Sequence, residues 1–159
     1  MIRRVVPAFL LCLAVTVPAF AASYRIADVI DGDTLIIEPA KGGKRTRVRL
    51  HGIDAPELDQ PHGTAARLYL ISKARFKRAD VRQTRHDKDR YGRIVAIVEI
   101  PGLGILQELL LQAGLAWVYP QYCGDCGEWE AMQEEAKRRG KGLWAREGAV
   151  EPWEWRRGR

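Results

Sequence analysis

Along the chain, apolar and polar positions alternate in short runs, then fall into helical stripes, and the two periods take turns. Residues 24–30 and 34–38 are β-rich runs separated by Asp31-Gly32-Asp33, which predicts a hairpin. A Gly/Lys turn over 39–44 leads into 46–53, where Val48, Leu50 and Gly52 take one face and Arg47, Arg49 and His51 the other. From 63 to 77 the period turns helical, and Ala65, Leu68, Tyr69, Ser72 and Phe76 form the apolar stripe. Two more strands are predicted over 80–86 and 93–100, joined by the charged turn Asp87-Lys88-Asp89-Arg90. A second helix over 105–113 aligns Leu106, Leu109, Leu110 and Ala113 and stops at Gly114. Residues 116–119 read as a short strand, and 128–139 as a third helix packing through Trp129, Met132, Gln133 and Ala136. This order predicts a mixed α+β protein, an OB-fold five-stranded β-barrel capped by three α-helices. The strand count alone also fits other α+β folds.

The first residues read differently. Arg3 and Arg4 precede an apolar run over 5–17, and Ala19-Phe20-Ala21 supplies a small-x-small cleavage pattern. Residues 1–21 are therefore expected to be a secretory signal peptide, cleaved near Ala21, and the mature protein to be secreted or periplasmic. The run is short for a bilayer span of about 20 residues, and an N-terminal anchor is the alternative. The rest divides into one domain over 22–147 and a Trp/Arg-rich tail over 148–159. The whole chain of 159 residues carries a net charge of +6, and removing Arg3 and Arg4 leaves +4. A basic surface suits a polyanionic partner without choosing among nucleic acid, anionic lipid and cell-wall polymer.

Cys123 and Cys126 are the cysteines that remain after cleavage. No second pair of cysteines or histidines follows to complete a zinc site, and the loop setting does not suit a thioredoxin-type motif. In an oxidising compartment the pair reads as a local disulfide, with a free dithiol as the alternative. His86-Asp87-Lys88 begins like a His-x-Lys phosphodiesterase motif, but Arg93 stands where that motif needs an aspartate. In the tail, Trp153, Trp155 and the neighbouring arginines either stack on bases and touch phosphates or dock on the barrel.

Three loop-adjacent clusters carry chemistry: Asp31-Gly32-Asp33-Thr34, Arg49 to Glu57, and Asp89-Arg90-Tyr91-Gly92-Arg93. Singly, each has a plain structural explanation as a turn or a strand exit. Together they supply aspartates that can ligate a hard divalent cation, with Glu57 as a base near it. Arg49 and Arg93 come from different strands and can grip a phosphate and neutralise added charge. Such an inventory is what phosphodiester hydrolysis requires. His51 lies on the Arg49 face and is read as a bystander.

The sequence resembles the staphylococcal nuclease (thermonuclease) family from about Ala27 to Trp144. The matching text is Val29-Ile30-Asp31-Gly32-Asp33-Thr34, Arg49-Leu50 with Ile53-Asp54-Ala55-Pro56-Glu57, Asp89-Arg90-Tyr91-Gly92-Arg93, the run Leu110 to Ala116, and Gly142-Leu143-Trp144. The resemblance implies a Ca²⁺-dependent nuclease on an OB-type barrel, with Asp33, Asp54 and the Ala55 carbonyl as metal ligands. It implies Glu57 as general base, Arg49 and Arg93 as phosphate-binding arginines, and Asp31 as a further acid near the metal. The implied reaction is attack of water on phosphorus with P–O5′ cleavage, leaving 3′-phosphates on DNA and/or RNA. Arg90, Tyr91, Tyr119 and Tyr122 are the implied substrate contacts, although Pro120 and the cysteine pair disturb the match around the last two. The chain is expected to act as a monomer. The rival reading is a non-catalytic nucleic-acid-binding module on the same fold, which would not require Asp33, Asp54, Glu57, Arg49 and Arg93 all to be present.

Overall fold

The computed structural model of the chain describes residues 24–84 and 88–159. The expected signal peptide, His86 and the far end of the strand expected over 80–86 lie outside the described residues.

The elements follow in the order β1 (Tyr24–Val29), β2 (Thr34–Pro39), β3 (Thr46–Leu50), β4 (Ile53–Asp54), α1 (Gly63–Ala74), β5 (Arg78–Gln83), β6 (Ile94–Ile100), β7 (Gly104–Ile105), α2 (Leu106–Gln112), β8 (Trp117–Val118), α3 (Gly127–Arg138) and α4 (Pro152–Arg157). Strands pair in the order β3-β2-β1-β5-β6, and β3 returns to β6 in parallel register, Arg49 opposite Val95, to close a five-stranded barrel. β7 adds to β6, and β4 pairs separately with β8. Inward-pointing apolar residues fill it: Ile26, Leu35, Ile37, Val48, Leu50, Ala96 and Val98 are fully or almost fully buried, and in β3 they follow the alternation read from sequence. Leu70 of α1 and Leu106, Leu110 and Leu111 of α2 join the same core. Gln107 is buried among them because its amide donates to the Ala96 carbonyl and its Oε1 accepts from the Val98 N–H.

Three features differ from the sequence reading. The buried stripe of α1 is Gly63, Ala66, Leu70 and Ala74, while Leu68 and Phe76 are more than half exposed. Close approach explains it: a Cβ built on Gly32 would stand 2.9 Å from the Ala66 Cβ, so the large apolar residues cannot occupy that side. α1 also stops at Ala74, because Phe76 takes φ 65 and its N–H donates to the Ile26 carbonyl, which turns the chain towards β5. The strand expected over 46–53 is interrupted at Gly52, whose φ of 71 folds the chain back between β3 and β4. Third, the tail contains a fourth helix, α4, with Pro152 at its first position and Trp153 docked on Tyr119.

Candidate active site

The carboxylates gather at one end of the barrel because two turns meet there. In the β1–β2 turn, the Asp31 Oδ1 accepts from the Asp33 N–H at 3.0 Å, which orders the turn locally. Asp33 is then fixed from both sides: its Oδ1 accepts from the Thr34 hydroxyl at 3.1 Å and its Oδ2 from the Ala55 N–H at 2.9 Å. The second turn is the reversal at Gly52, which brings the Leu50 and Ile53 carbonyls round to one point. Arg49 Nη1 donates to both, at 2.6 and 2.8 Å. A side chain at Gly52 would meet Cys123 Sγ and the Trp129 ring at 2.8 Å, so the reversal has no room for one.

Held by those carbonyls, the Arg49 guanidinium bridges the two buried aspartates. Its Nε lies 3.1 Å from Asp33 Oδ1 and its Nη2 donates to Asp54 Oδ1 at 2.7 Å. Asp33 and Asp54 are 7% and 2% exposed. Glu57 stands on the loop that follows β4. Its N–H donates to the Gln60 Oε1 at 3.1 Å, and its carbonyl accepts from the Gln60 N–H at 2.9 Å. A Cβ on Gly63 would lie 1.7 Å from that carbonyl, so glycine is what lets α1 start beneath the loop.

The fifth expected residue approaches from across the barrel closure. Arg93 Nε donates to Asp89 Oδ2 at 2.7 Å, while its Nη1 reaches the Thr34 hydroxyl at 3.3 Å, one residue from Asp33. Burial acts to raise the Asp89 carboxyl, but hydrogen bonds from Arg93 and Tyr91 outweigh it and the group is held below its ordinary value. Arg90 and Tyr91 are not drawn into the carboxylate cluster. They sit on the exposed turn, with the Arg90 and Arg93 guanidiniums 4.9 and 5.3 Å from the Tyr91 ring centre. Tyr119 and Tyr122 contact each other at 4.9 Å, and Tyr119 stacks on Trp153 at 5.0 Å with planes 5° apart. His51 lines a separate cleft with Ile97 and residues 124–129 that contains none of the site carboxylates. Cys123 and Cys126 are joined by a disulfide beside that cleft.

Sequence reasoning missed Arg156. Its Nη2 donates to Asp54 Oδ2 and its Nη1 to Glu57 Oε1, both at 2.7 Å. Burial acts to lower the guanidinium, but its bonds to Asp54 and Glu57 more than reverse this and raise it. The available signal was a proline opening a helix, which places Trp153 and Arg156 one turn apart on one face. The buried, 5% exposed Gln60 was missed as well. Besides bonding Glu57, it donates from Nε2 to the Val150 carbonyl at 2.6 Å and so ties the Glu57 loop to the tail.

The cluster is short of positive charge. Burial, then the neighbouring Asp33, pushes the Asp31 carboxyl up to about 6, and burial raises Asp54 despite Arg156 and Arg49. Among the described residues no three His, Cys, Asp or Glu side chains form a metal-holding group. What the site offers instead is two fixed, buried aspartates with excess negative charge and only oxygen donors. That donor set fits a hard cation whose shell is completed by a main-chain carbonyl, water and substrate oxygens, and does not suit zinc.

Comparison with known proteins now decides the family. The family model described as staphylococcal nuclease homologue matches residues 47–146. The chain belongs to the staphylococcal nuclease family. Its relatives include a protein of Escherichia coli named an uncharacterized endonuclease, 36% identical over 97% of each chain. A micrococcal nuclease of Shigella flexneri is 38% identical over 91% of this chain and 87% of its own. The staphylococcal-like nuclease CAN1 of Arabidopsis thaliana is 37% identical over 86% of this chain but 39% of its own length. In this staphylococcal nuclease homologue, Arg49, Asp54, Glu57 and Arg93 lie inside the matched span, whereas Asp33 and Arg156 flank it.

The raised Asp31 carboxyl has a measurable consequence. Asp31→Asn keeps the acceptor for the Asp33 N–H and removes one carboxylate. The folded Asp31, at about 6, titrates above the ~3.9 of an unfolded aspartate. Between those values the folded chain keeps a proton the unfolded chain has lost, so this contribution to stability is present at low pH and fades as pH rises through 6. Without divalent cation, the variant is expected to melt roughly 5 °C above wild type at neutral pH, with the gap closing towards pH 4. Identical melting temperatures across that range would contradict a carboxyl raised by burial and by Asp33.

Proposed function

We propose that the chain hydrolyses phosphodiester bonds of DNA and/or RNA with Ca²⁺ held by Asp33, Asp54 and the Ala55 carbonyl. Its enzyme class is that of its relatives, a nuclease and therefore a hydrolase. The observation that carries the reading is the Arg49 guanidinium, which holds both buried aspartates on one centre while Glu57 shares Arg156 with Asp54. When bound, Ca²⁺ supplies positive charge to a phosphoryl oxygen and to the attacking water.

The side chains do the rest. Glu57 accepts a proton from the water and aims it at phosphorus. Arg49, anchored by two carbonyls, is preorganised for the charge that develops on the equatorial oxygens. Arg93 exchanges Asp89 for a phosphate oxygen, a second charge-assisted contact from the opposite strand. The P–O5′ bond breaks, leaving a 3′-phosphate and a 5′-hydroxyl. Tyr119 and Tyr122 offer rings to a base, and Arg90 and Tyr91 lie on the approach to the phosphates.

Residues 22–159 are the expected mature monomer, secreted or periplasmic, a setting consistent with the Cys123–Cys126 disulfide. Among the described residues no helix is long and apolar enough to cross a membrane. The deciding experiment incubates residues 22–159 with single-stranded DNA and with RNA, in Ca²⁺ and in chelator, and identifies the product ends. Cleavage in Ca²⁺ alone, leaving 3′-phosphates, is expected. Tight binding without cleavage under any divalent cation would assign the chain to the non-catalytic modules instead.

A further inference from the structure

α4 lies across two parts of the site at once. Trp153 covers the Tyr119 ring, and one turn later Arg156 bonds Asp54 Oδ2 and Glu57 Oε1. Asp54 Oδ1 already accepts from Arg49, so both oxygens of this aspartate are engaged by guanidiniums. The two cations are not held equally. Arg49 is tied to the Leu50 and Ile53 carbonyls and its side chain is 13% exposed, whereas Arg156 rides on a six-residue helix with its side chain 42% exposed. A cation that takes Asp54 competes with both guanidiniums for its oxygens, and Arg156, the more exposed of the two, is the one that gives way more readily. A guanidinium on Glu57 Oε1 also occupies one of the two oxygens that could take a proton from water.

We propose that α4 is a built-in occupant of the active site, in which Arg156 and Trp153 hold Asp54, Glu57 and Tyr119 until a divalent cation and a nucleic-acid strand displace them. This rests on the nuclease reading of the same site and concerns its regulation. The attachment on either side of the helix suits such a movement. Before it, Gln60 grips the Val150 carbonyl from inside the fold, which fixes a pivot. After it, Arg159 pairs with Asp59 at the surface, an exposed catch that opens at little cost.

The test uses residues 22–159 as wild type, Arg156→Ala, Arg156→Lys and Trp153→Ala. Ca²⁺ affinity is read by calorimetry. Separately, tryptic cleavage of the wild type after Arg156 and Arg157 is followed by mass spectrometry, with and without Ca²⁺ and an oligothymidylate. A helix closed nine-tenths of the time weakens apparent Ca²⁺ affinity on the order of tenfold, so Arg156→Ala should bind Ca²⁺ about tenfold more tightly. Trp153→Ala should show a smaller gain, Arg156→Lys an intermediate one, and Ca²⁺ with the oligonucleotide should speed cleavage of α4. Unchanged or weaker Ca²⁺ binding by Arg156→Ala in a protein that still cuts DNA would overturn the proposal and make Arg156 part of the loaded site. Slower tryptic cleavage with Ca²⁺ would do the same. Absence of both Ca²⁺ uptake and DNA cleavage in wild type and variant would instead remove the nuclease reading, and the closed helix as its regulator with it.

Discussion

Glu57→Gln is expected to leave a folded protein that binds Ca²⁺ and single-stranded DNA yet cleaves it at least about 10²-fold more slowly, the scale on which general-base catalysis contributes. Glutamine keeps the size of the side chain, and the main-chain bonds that place this loop, from Glu57 N–H to Gln60 and from Gln60 N–H to the Glu57 carbonyl, do not involve the carboxylate. What it removes is the ability to take a proton. It also removes one of the two carboxylates that Arg156 grips, so Ca²⁺ binding should hold or tighten. Single-turnover cleavage set against DNA affinity separates the two effects. A loss of binding that matches the loss of rate would show Glu57 to be a substrate contact and not a base.

Arg49→Met should damage both rate and stability. Methionine fills similar space but leaves Asp33 without its guanidinium and Asp54 with Arg156 alone, both carboxylates being buried. Removing one partner from a buried ion pair costs about 3–5 kcal/mol, enough to lower the melting temperature of a domain this size by roughly 10 °C or more. The Leu50 and Ile53 carbonyls lose a donor in the same step. Cleavage should fall by about 10²-fold to 10³-fold, as when one preorganised charge contact is taken from a transition state. Because a bound cation would compensate the same aspartates, Ca²⁺ should raise the melting temperature of the variant more than that of wild type. An unchanged melting temperature without Ca²⁺ would show that Arg49 does not hold the cluster together.

The barrel was legible because the strand 46–50 sets Val48 and Leu50 on one face and Arg47 and Arg49 on the other, so that a one-residue slip would bury the arginines, while 24–29 and 34–39 are β-rich runs set apart by a turn. α1 was legible as a helix but not in its rotation, since its inner face is built from Gly63, Ala66 and Ala74, which a hydrophobic pattern ranks below Leu68 and Phe76. Gly52 was assigned to a strand face because alternation carries no sign of a positive φ. Asp33, Arg49, Asp54, Glu57 and Arg93 could be singled out from short motifs, each being local to a turn. Arg156 could not, for its partners lie 102 and 99 residues back, and the proline that opens its helix sets it one turn from Trp153 but says nothing of Asp54 or Glu57.

The parallel join of β3 to β6 places Arg49 and Arg93 on opposite lips of the line along which the sheet becomes a barrel. An open sheet can already hold the β1–β2 turn, the Gly52 reversal and the aspartates on Arg49, all within one stretch of chain. It cannot bring Arg93 to Thr34, a contact spanning 59 residues. The second arginine of the site therefore depends on closure of the barrel, whereas the first depends only on two neighbouring turns.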